Sequence, residues 1–257
     1  MGIFKGAIEN STIYLGSTEI TKVYAGAALV YENIFTFNIT TNTTNANLRT
    51  LALAAGWSGS SLLICTINAG VVISGNTAGN STAAMTINGS FPAGVTLINN
   101  GQIRGRGGAG GNGGVGASLG QAGGVGGRAL RVTVPASVNN VGNIWSGGGG
   151  GSGSGLTGKS VPFGGGGGGR SGNIDSVRGL GGNGGGNGGV GTLAAYGAGG
   201  TQNDDGIYSG HSGGDVGAAG GQGSGTNSNV GGAAGQAVHG NSNITWIATG
   251  SRLGTIV

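Results

Sequence analysis

The sequence predicts a mainly β fold with one short helix over residues 1–104. Over residues 105–257 it predicts a bundle of short glycine helices with loops at both ends. Three observations carry this. Of the 68 glycines, 11 fall in the first hundred residues and 57 in the remainder. Glycines of the second part recur every third residue. The first part holds short alternating apolar and polar runs broken by Gly, Asn and Ser.

The period comes first. In GRGGAGGNGGVG, residues 105–116, only Arg106, Ala109, Asn112 and Val115 carry side chains, three residues apart. Gly105, Gly108, Gly111 and Gly114 keep the same step, as do Gly179, Gly182, Gly185 and Gly188 in GLGGNGGGNGGVG. A helix of the polyproline-II type has three residues per turn and no internal hydrogen bonds. Its backbone groups need partners elsewhere. Where two of three side-chain rows are glycine, neighbouring helices can approach and pair backbone to backbone. Collagen uses the same helix with much proline, but this chain has three prolines, none inside a run. Disordered chains are highly charged and poor in apolar residues; here charged residues are 7% and hydrophobic residues 36%.

In the first part, residues 11–32 read as short antiparallel strands with tight turns at Gly16 and Gly26. FTFNIT, SLLICTI, GVVISG, AAMTING and VTLINNGQIRG read as further strands. TNANLRTLALAAG reads as a helix capped by Asn45 and stopped by Gly56, with Leu48, Leu51, Ala52 and Ala55 on one face. Three units follow: a small β module at 1–34, a β-rich domain with one helix at 35–104, and a glycine-rich domain at 105–257. One insert among the glycine runs, 128–146, is strand-like. Its VPASVNNVGNIWSGGGG echoes FPAGVTLINNGQIRGRGG, and NSNITWIATG is a weaker third copy, which suggests one layered body.

Composition excludes several functions. The formal charge is +4, but only eleven basic residues carry it and no basic run tracks a phosphate backbone, so nucleic acid is not an expected partner. No apolar stretch is long enough to span a bilayer, and the N-terminus has no signal-peptide pattern. Lone Cys65 in LLICTI is a buried small hydrophobe. No cofactor or metal is expected; at the Asp204–Asp205 loop calcium ligation is conceivable, but the oxygen count is thin. There are seven carboxylates and two histidines, His211 and His239. GGSGSG and GRGGAG match nucleophile-elbow and dinucleotide strings only by accident of glycine content. The chain does not read as an enzyme.

The remaining chemistry lies in the inserts between runs. LTGKSVPF offers Lys159, TLAAY offers Tyr196, and TQNDDGIYS offers Asp204, Asp205, Ile207 and Tyr208. Tyrosine in a short polar loop supplies a rigid contact area with one hydrogen-bonding end. The tyrosine inserts are expected at the end facing a partner, the 128–146 insert near the domain junction. Phe163 is expected to pack, as are Trp145 and Trp246.

GRGGAGGNGG, GGRALRVTVPASVNNVGNIWSGGGGG and FGGGGGGR resemble the glycine-rich half of tail-fibre tip adhesins of T-even-type bacteriophages. The resemblance covers roughly residues 101–257. It implies a polyglycine-II sandwich, a place at a virion's tail-fibre tip, and loops that bind a host outer-membrane protein or lipopolysaccharide. ITKVYAGAALVYE is similar to short β modules of other phage tail proteins, which implies attachment to a tail or fibre protein through residues 1–100. The alternatives are a purely structural tail component and a glycan-cleaving fibre enzyme.

Overall fold

The computed structural model describes residues 13–15, 17–20, 22–115, 118–155, 163–182, 185–201, 208–222 and 229–257. Two antiparallel hairpins come first, as the alternation at 11–32 anticipates: β1 (Ile13–Leu15) with β2 (Thr18–Ile20), then β3 (Lys22–Ala25) with β4 (Ala28–Glu32). Gly26 turns the second hairpin at φ 62°, and a Lys22–Glu32 ion pair of 2.9 Å closes its base.

From Ile34 onward the strands come in sets of three. The first turn is β5 (Ile34–Ile39), β6 (Thr43–Thr44) and β7 (Ala46–Asn47); the second is β8 (Leu62–Ile67), β9 (Val72–Ser74) and β10 (Ala83–Ile87). The third is β11 (Val95–Asn99), β12 (Gln102–Arg104) and β13 (Arg128–Val132). The fourth is β14 (Ala136–Asn140), β15 (Asn143–Trp145) and β16 (Gln236–His239), and the fifth β17 (Ile244–Ala248), β18 (Ser251–Leu253) and β19 (Thr255–Ile256). First members stack on first, second on second and third on third, making three five-stranded parallel sheets. This is a three-sided parallel β-coil of five turns.

Apolar side chains fill its interior. One column runs Phe37, Cys65, Leu97, Val138 and Trp246 through successive turns. Burial pushes the Cys65 thiol up to about 12, which keeps it an inert space-filler. The echoing segments are the third and fourth turns lying one on the other. At their shared corner the Asn99 amide donates to Asn140 Oδ1 at 2.7 Å, and the Asn140 amide donates to the Thr249 carbonyl at 2.7 Å. A corner that bends every turn leaves backbone groups unpaired, and stacked asparagines satisfy them.

Four sequence readings change. The strand-bearing body does not end at 104: it takes in Arg128–Trp145 and Gln236–Ile256, because those segments repeat the earlier turns and stack on them. VTLINNGQIRG is two strands, broken by the corner at Asn100–Gly101. Helix α1 (Leu48–Ala54) is capped by Asn47, whose side chain accepts from the Thr50 N–H at 3.1 Å. Asn45 instead takes φ 47° and its side chain accepts from the Asn76 N–H, so it shapes a coil corner. Leu48 and Ala52 are buried as read, Gly56 ends the helix at φ 102°, but Ala55 is exposed past the last turn.

The glycine-rich segments leave and rejoin this body at one corner, between the second and third sheets. Residues 105–127 are an excursion from the third turn, residues 146–235 one from the fourth. Among the described residues they form ten runs that are neither α-helix nor strand. Five lead away from the β body: 105–114, 146–155, 176–182, 195–201 and 218–222. Five return: 121–127, 163–171, 185–192, 208–214 and 229–235. None of their described glycines has a left-handed φ.

Their hydrogen bonds run between runs, in rows with a step of three. Gly105, Gly108, Gly111 and Gly114 donate to the carbonyls of Trp145, Gly148, Gly151 and Ser154, at 2.8–2.9 Å. In the run 163–171, successive N–H groups point to three different neighbours: Gly164 to Tyr208, Gly165 to Gly186, Gly166 to Gly111. Its carbonyls at 163, 164 and 165 accept from three more, through Gly182, Ser154 and Gly200. The run 146–155 is likewise bonded to six others, and the remaining eight close a ring around these two.

Such contact leaves no room for side chains. A Cβ on Gly105, Gly108, Gly179, Gly182 or Gly188 would be driven into backbone of a neighbouring run, on Gly114 into the Ser118 carbonyl, and on Gly185 into that of Phe163. On Gly111 it would meet the Gln121 and Ala122 carbonyls. Gly111→Val is therefore expected to destabilise the protein by about 3 kcal/mol or more. Exposed Ala122→Ser should leave the melting temperature within about 1 °C. Thermal melting of the two variants beside the parent checks both.

Candidate functional site

Alternating run direction sorts the connections onto two ends. At the far end, away from the β body, lie the described residues that flank the links 115–120, 156–162, 183–184, 202–207 and 223–228. Phe163 organises it. This ring is fully buried, as its place beside a glycine run predicts, and meets the Tyr208 ring edge-on with centroids 5.6 Å apart. Phe163 and Gly182 exchange backbone bonds at 2.9 and 2.8 Å, and the Gly164 N–H donates to the Tyr208 carbonyl at 3.0 Å. The Ser154 hydroxyl also donates to that carbonyl. Three of the five links thus start or finish within reach of one ring. A second group gathers around Gly120, whose carbonyl accepts from the Asn229 amide, with Val115 and Val230 exposed beside it.

Tyr208 is half-buried at this end, its ring against that of Phe163. Lys159, Asp204, Asp205 and Ile207 lie outside the described residues. Tyr196 is not at this end at all. It follows the turn 193–194, which faces the β body, and it is 48% exposed there. The chain reverses at every run, so TLAAY and TQNDDGIYS, being successive connections, must lie at opposite ends. Among the described residues no group of three or more His, Cys, Asp or Glu could hold a metal, and no helix is long and apolar enough to cross a membrane.

Residues 34–257 match the family model described as phage tail fibre adhesin Gp38. The chain belongs to that family. A solved structure, the gp37–gp38 adhesin tip complex of the bacteriophage S16 long tail fibre, is 28% identical with a TM-score of 0.65. The match covers 88% of this chain and 83% of that one. No curated protein sequence matches. This tail-fibre adhesin therefore carries its family fold from β5 to its last strand, and the hairpins β1–β4 precede the matched region.

The near end of the adhesin's glycine body is fastened to the β body by arginines. Arg106 donates to the Asn76 carbonyl at 2.7 Å and to the Asp175 carbonyl at 2.9 and 3.1 Å. Arg104 on β12 and Arg170 both donate to the Leu193 carbonyl, at 3.1 and 3.2 Å, and Arg170 pairs with Asp215 at 2.8 Å. The Arg104 guanidinium also lies over Trp145, 4.6 Å from the ring centroid. Trp145 is thus a half-buried cation platform, and Trp246 repeats the device with Arg252 at 4.6 Å. Burial, and then the Arg170 charge, push Arg104 down to about 10, against the opposing pull of Asp215.

Two expectations follow. Burial pushes the Asp215 carboxyl up, but its bonds from Arg170 and the Val216 N–H, with the Arg170 and Arg104 charges, outweigh that and hold it below the usual 3.8. A carboxyl lowered by folding stabilises above its unfolded value and loses that contribution as pH falls through the folded value. Asp215→Asn should melt lower than the parent at pH 6, and the gap should close as pH drops below 3.8. Phe163→Ala removes the ring that the far-end links share. It should cost about 3–5 kcal/mol, read as a lower urea midpoint with unchanged slope.

Proposed function

We propose that this chain is the receptor-binding tip of a tail fibre. In this reading the ten glycine runs are polyglycine-II helices forming a sandwich, and the far-end loops grip a host outer-membrane protein or lipopolysaccharide. The observation that carries it is the three-residue step of the inter-run bonds, which fits a helix of three residues per turn. That step fixes both ends of each link, so a loop loses little freedom on binding. The eight glycines at 105, 108, 111, 114, 179, 182, 185 and 188 serve as scaffold positions. Lys159, Asp204, Asp205, Ile207 and Tyr208 are the proposed contacts. Tyr196, at the near end, is withdrawn from the set because a ligand at the far end does not reach it. The reading involves no catalysis, so a glycan-cleaving role is set aside.

Attachment is assigned to the other part of the chain. The S16 neighbour is a complex of gp37 with gp38. By that likeness a tail-fibre protein is the proposed partner, held through residues 1–100 in the virion. The proposed units are the hairpins of 1–34 as attachment module, the β-rich unit of 35–104, and the glycine-rich unit of 105–257 for the receptor. The last depends on the β turns at 128–145 and 236–256.

The test is adsorption of virions whose fibres carry Asp204→Ala with Asp205→Ala, or Lys159→Ala. Adsorption should slow about tenfold, the equivalent of 1.4 kcal/mol, with unchanged fibre assembly and melting temperature. Tyr196→Ala serves as the near-end control and should adsorb as the parent does. Normal adsorption of all the far-end variants would remove these loops from the receptor surface and leave a purely structural tail component.

A further inference from the structure

The three sheets of the β-coil differ in charge and in cover. The second bears Arg104 and Arg252, and loops of the glycine body lie over it. There the Asn173 N–H donates to the Ser74 hydroxyl at 2.9 Å, and Arg104 donates to the Leu193 carbonyl at 3.1 Å. The third bears Arg128, Arg131 and His239. The first, made of β5, β8, β11, β14 and β17, has no charged residue on any strand. Its inward residues Leu63, Cys65, Leu97 and Val138 are fully buried, so alternation turns Ile64, Thr96 and Ser137 outward. Thr36, Ile64, Thr96, Ser137 and Thr245 are register partners in one row across this outer face. None of the five is buried.

Position sets this face apart as well. The glycine runs leave on β12 and β15 and return on β13 and β16, at the corner between the second and third sheets. In a three-sided coil that corner lies opposite the first sheet. The first sheet therefore faces away from the glycine body and its far-end links. An uncharged face loses little on desolvation, whereas a charge buried without a partner costs heavily. Specific interfaces accordingly deplete charge at their centre. Five strands about 4.8 Å apart, each about 20 Å long, present roughly 500 Å². That is each partner's share of an interface of about 1,000 Å², the size a specific contact needs. Ile64 and Ile98, on the inner strands β8 and β11, supply its apolar centre.

We infer that the outer face of the first sheet is where this adhesin seats on its fibre, against an uncharged, apolar-centred surface of the tail-fibre protein. This rests on the tail-tip reading above and extends the attachment assignment past residue 100, to β14 and β17. A second copy does not fit the same face, because two chains joined there would point their far ends in opposite directions. On a fibre the same contact turns every far-end link outward. The contact is made by desolvating an uncharged surface, so a charge of either sign on the middle row opposes it.

The test is binding of the purified full chain to virions assembled without adhesin. The parent should bind them. Ser137→Glu and Ile64→Lys should each bind about tenfold more weakly or worse. Thr86→Glu, on β10 of the third sheet, should bind as the parent does. Ser137→Thr adds a methyl group and no charge, and should also bind normally. Melting temperature is measured on each variant. Where a central variant does not fold, Thr36→Lys and Thr245→Glu test the same row from its exposed edges. Parent binding with equal binding of the folded charged variants overturns the face and leaves the fibre partner standing. No binding by the parent overturns the fibre partner itself, and this face with it. Sedimentation of the parent as a dimer that Ser137→Glu separates gives the face to a second copy, which also overturns the inference.

Discussion

Everything in the glycine body depends on one constraint: its described runs hydrogen-bond to one another and not within themselves. Each N–H and C=O has to meet another run, and the step of three sends consecutive groups in three directions. The two central runs consequently carry bonds to six neighbours each. That density tolerates no Cβ at the contact positions, which is why Gly111 and Gly166 face carbonyl oxygens from different runs. The gain is modest. A hydrogen bond nets about 1 kcal/mol, while ordering a residue costs about 1–2 kcal/mol, and glycine costs most of all. The runs cannot stand on hydrogen bonds alone, and the apolar β-coil has to anchor them.

The anchoring is a matter of register. Arg104 pairs with Trp145 at the ends of β12 and β15, and the ladder continues without a break when the Gly105 N–H donates to the Trp145 carbonyl. The rows at 108, 111 and 114 then follow at the same offset. On the return side, Gly123 and Gly126 donate to Val230 and Ala233, and the offset persists into Leu130 beside Val238. Strand stacking in the coil and the first rows of the glycine body thus share one register. A slip of one residue would move side chains such as Ala109 into a neighbouring backbone.

Much of this is legible in the sequence because glycine is irreplaceable where it occurs. The period of three at 105–116 and 179–191 marks the inter-run contacts, and the echo between FPAGVTLINNGQIRG and VPASVNNVGNIWS marks stacked turns. The parallel coil is not legible. Its strands are two to six residues long, too short for a period, and its turns vary in length because excursions of 23 and 90 residues interrupt two of them. The sequence puts the helix cap two residues early because Asn45 and Asn47 are chemically alike, and only the coil corner distinguishes them. Tyr196 and Tyr208 look equivalent as loop tyrosines. Counting chain reversals separates them, and that count requires knowing where every run ends.

A body of this kind has consequences for where chemistry can reside. Side chains are excluded from its interior, so recognition has to occur at run ends or on the outward rows. The near end is consumed by Arg104, Arg106, Arg170 and Asp215, which fasten it to the coil. The far end is left with five links whose roots are fixed by backbone bonds and by Phe163. Among the described residues the rows are set by the glycine register of the roots. In the proposed reading, substitutions that alter recognition are separated from those that alter folding by a single boundary, the first residue whose backbone joins a row. At the 202–207 link that boundary falls at Tyr208, whose ring meets Phe163 and whose carbonyl accepts from the Gly164 N–H. Any contribution of Tyr208 to the proposed recognition is therefore inseparable from its part in the scaffold.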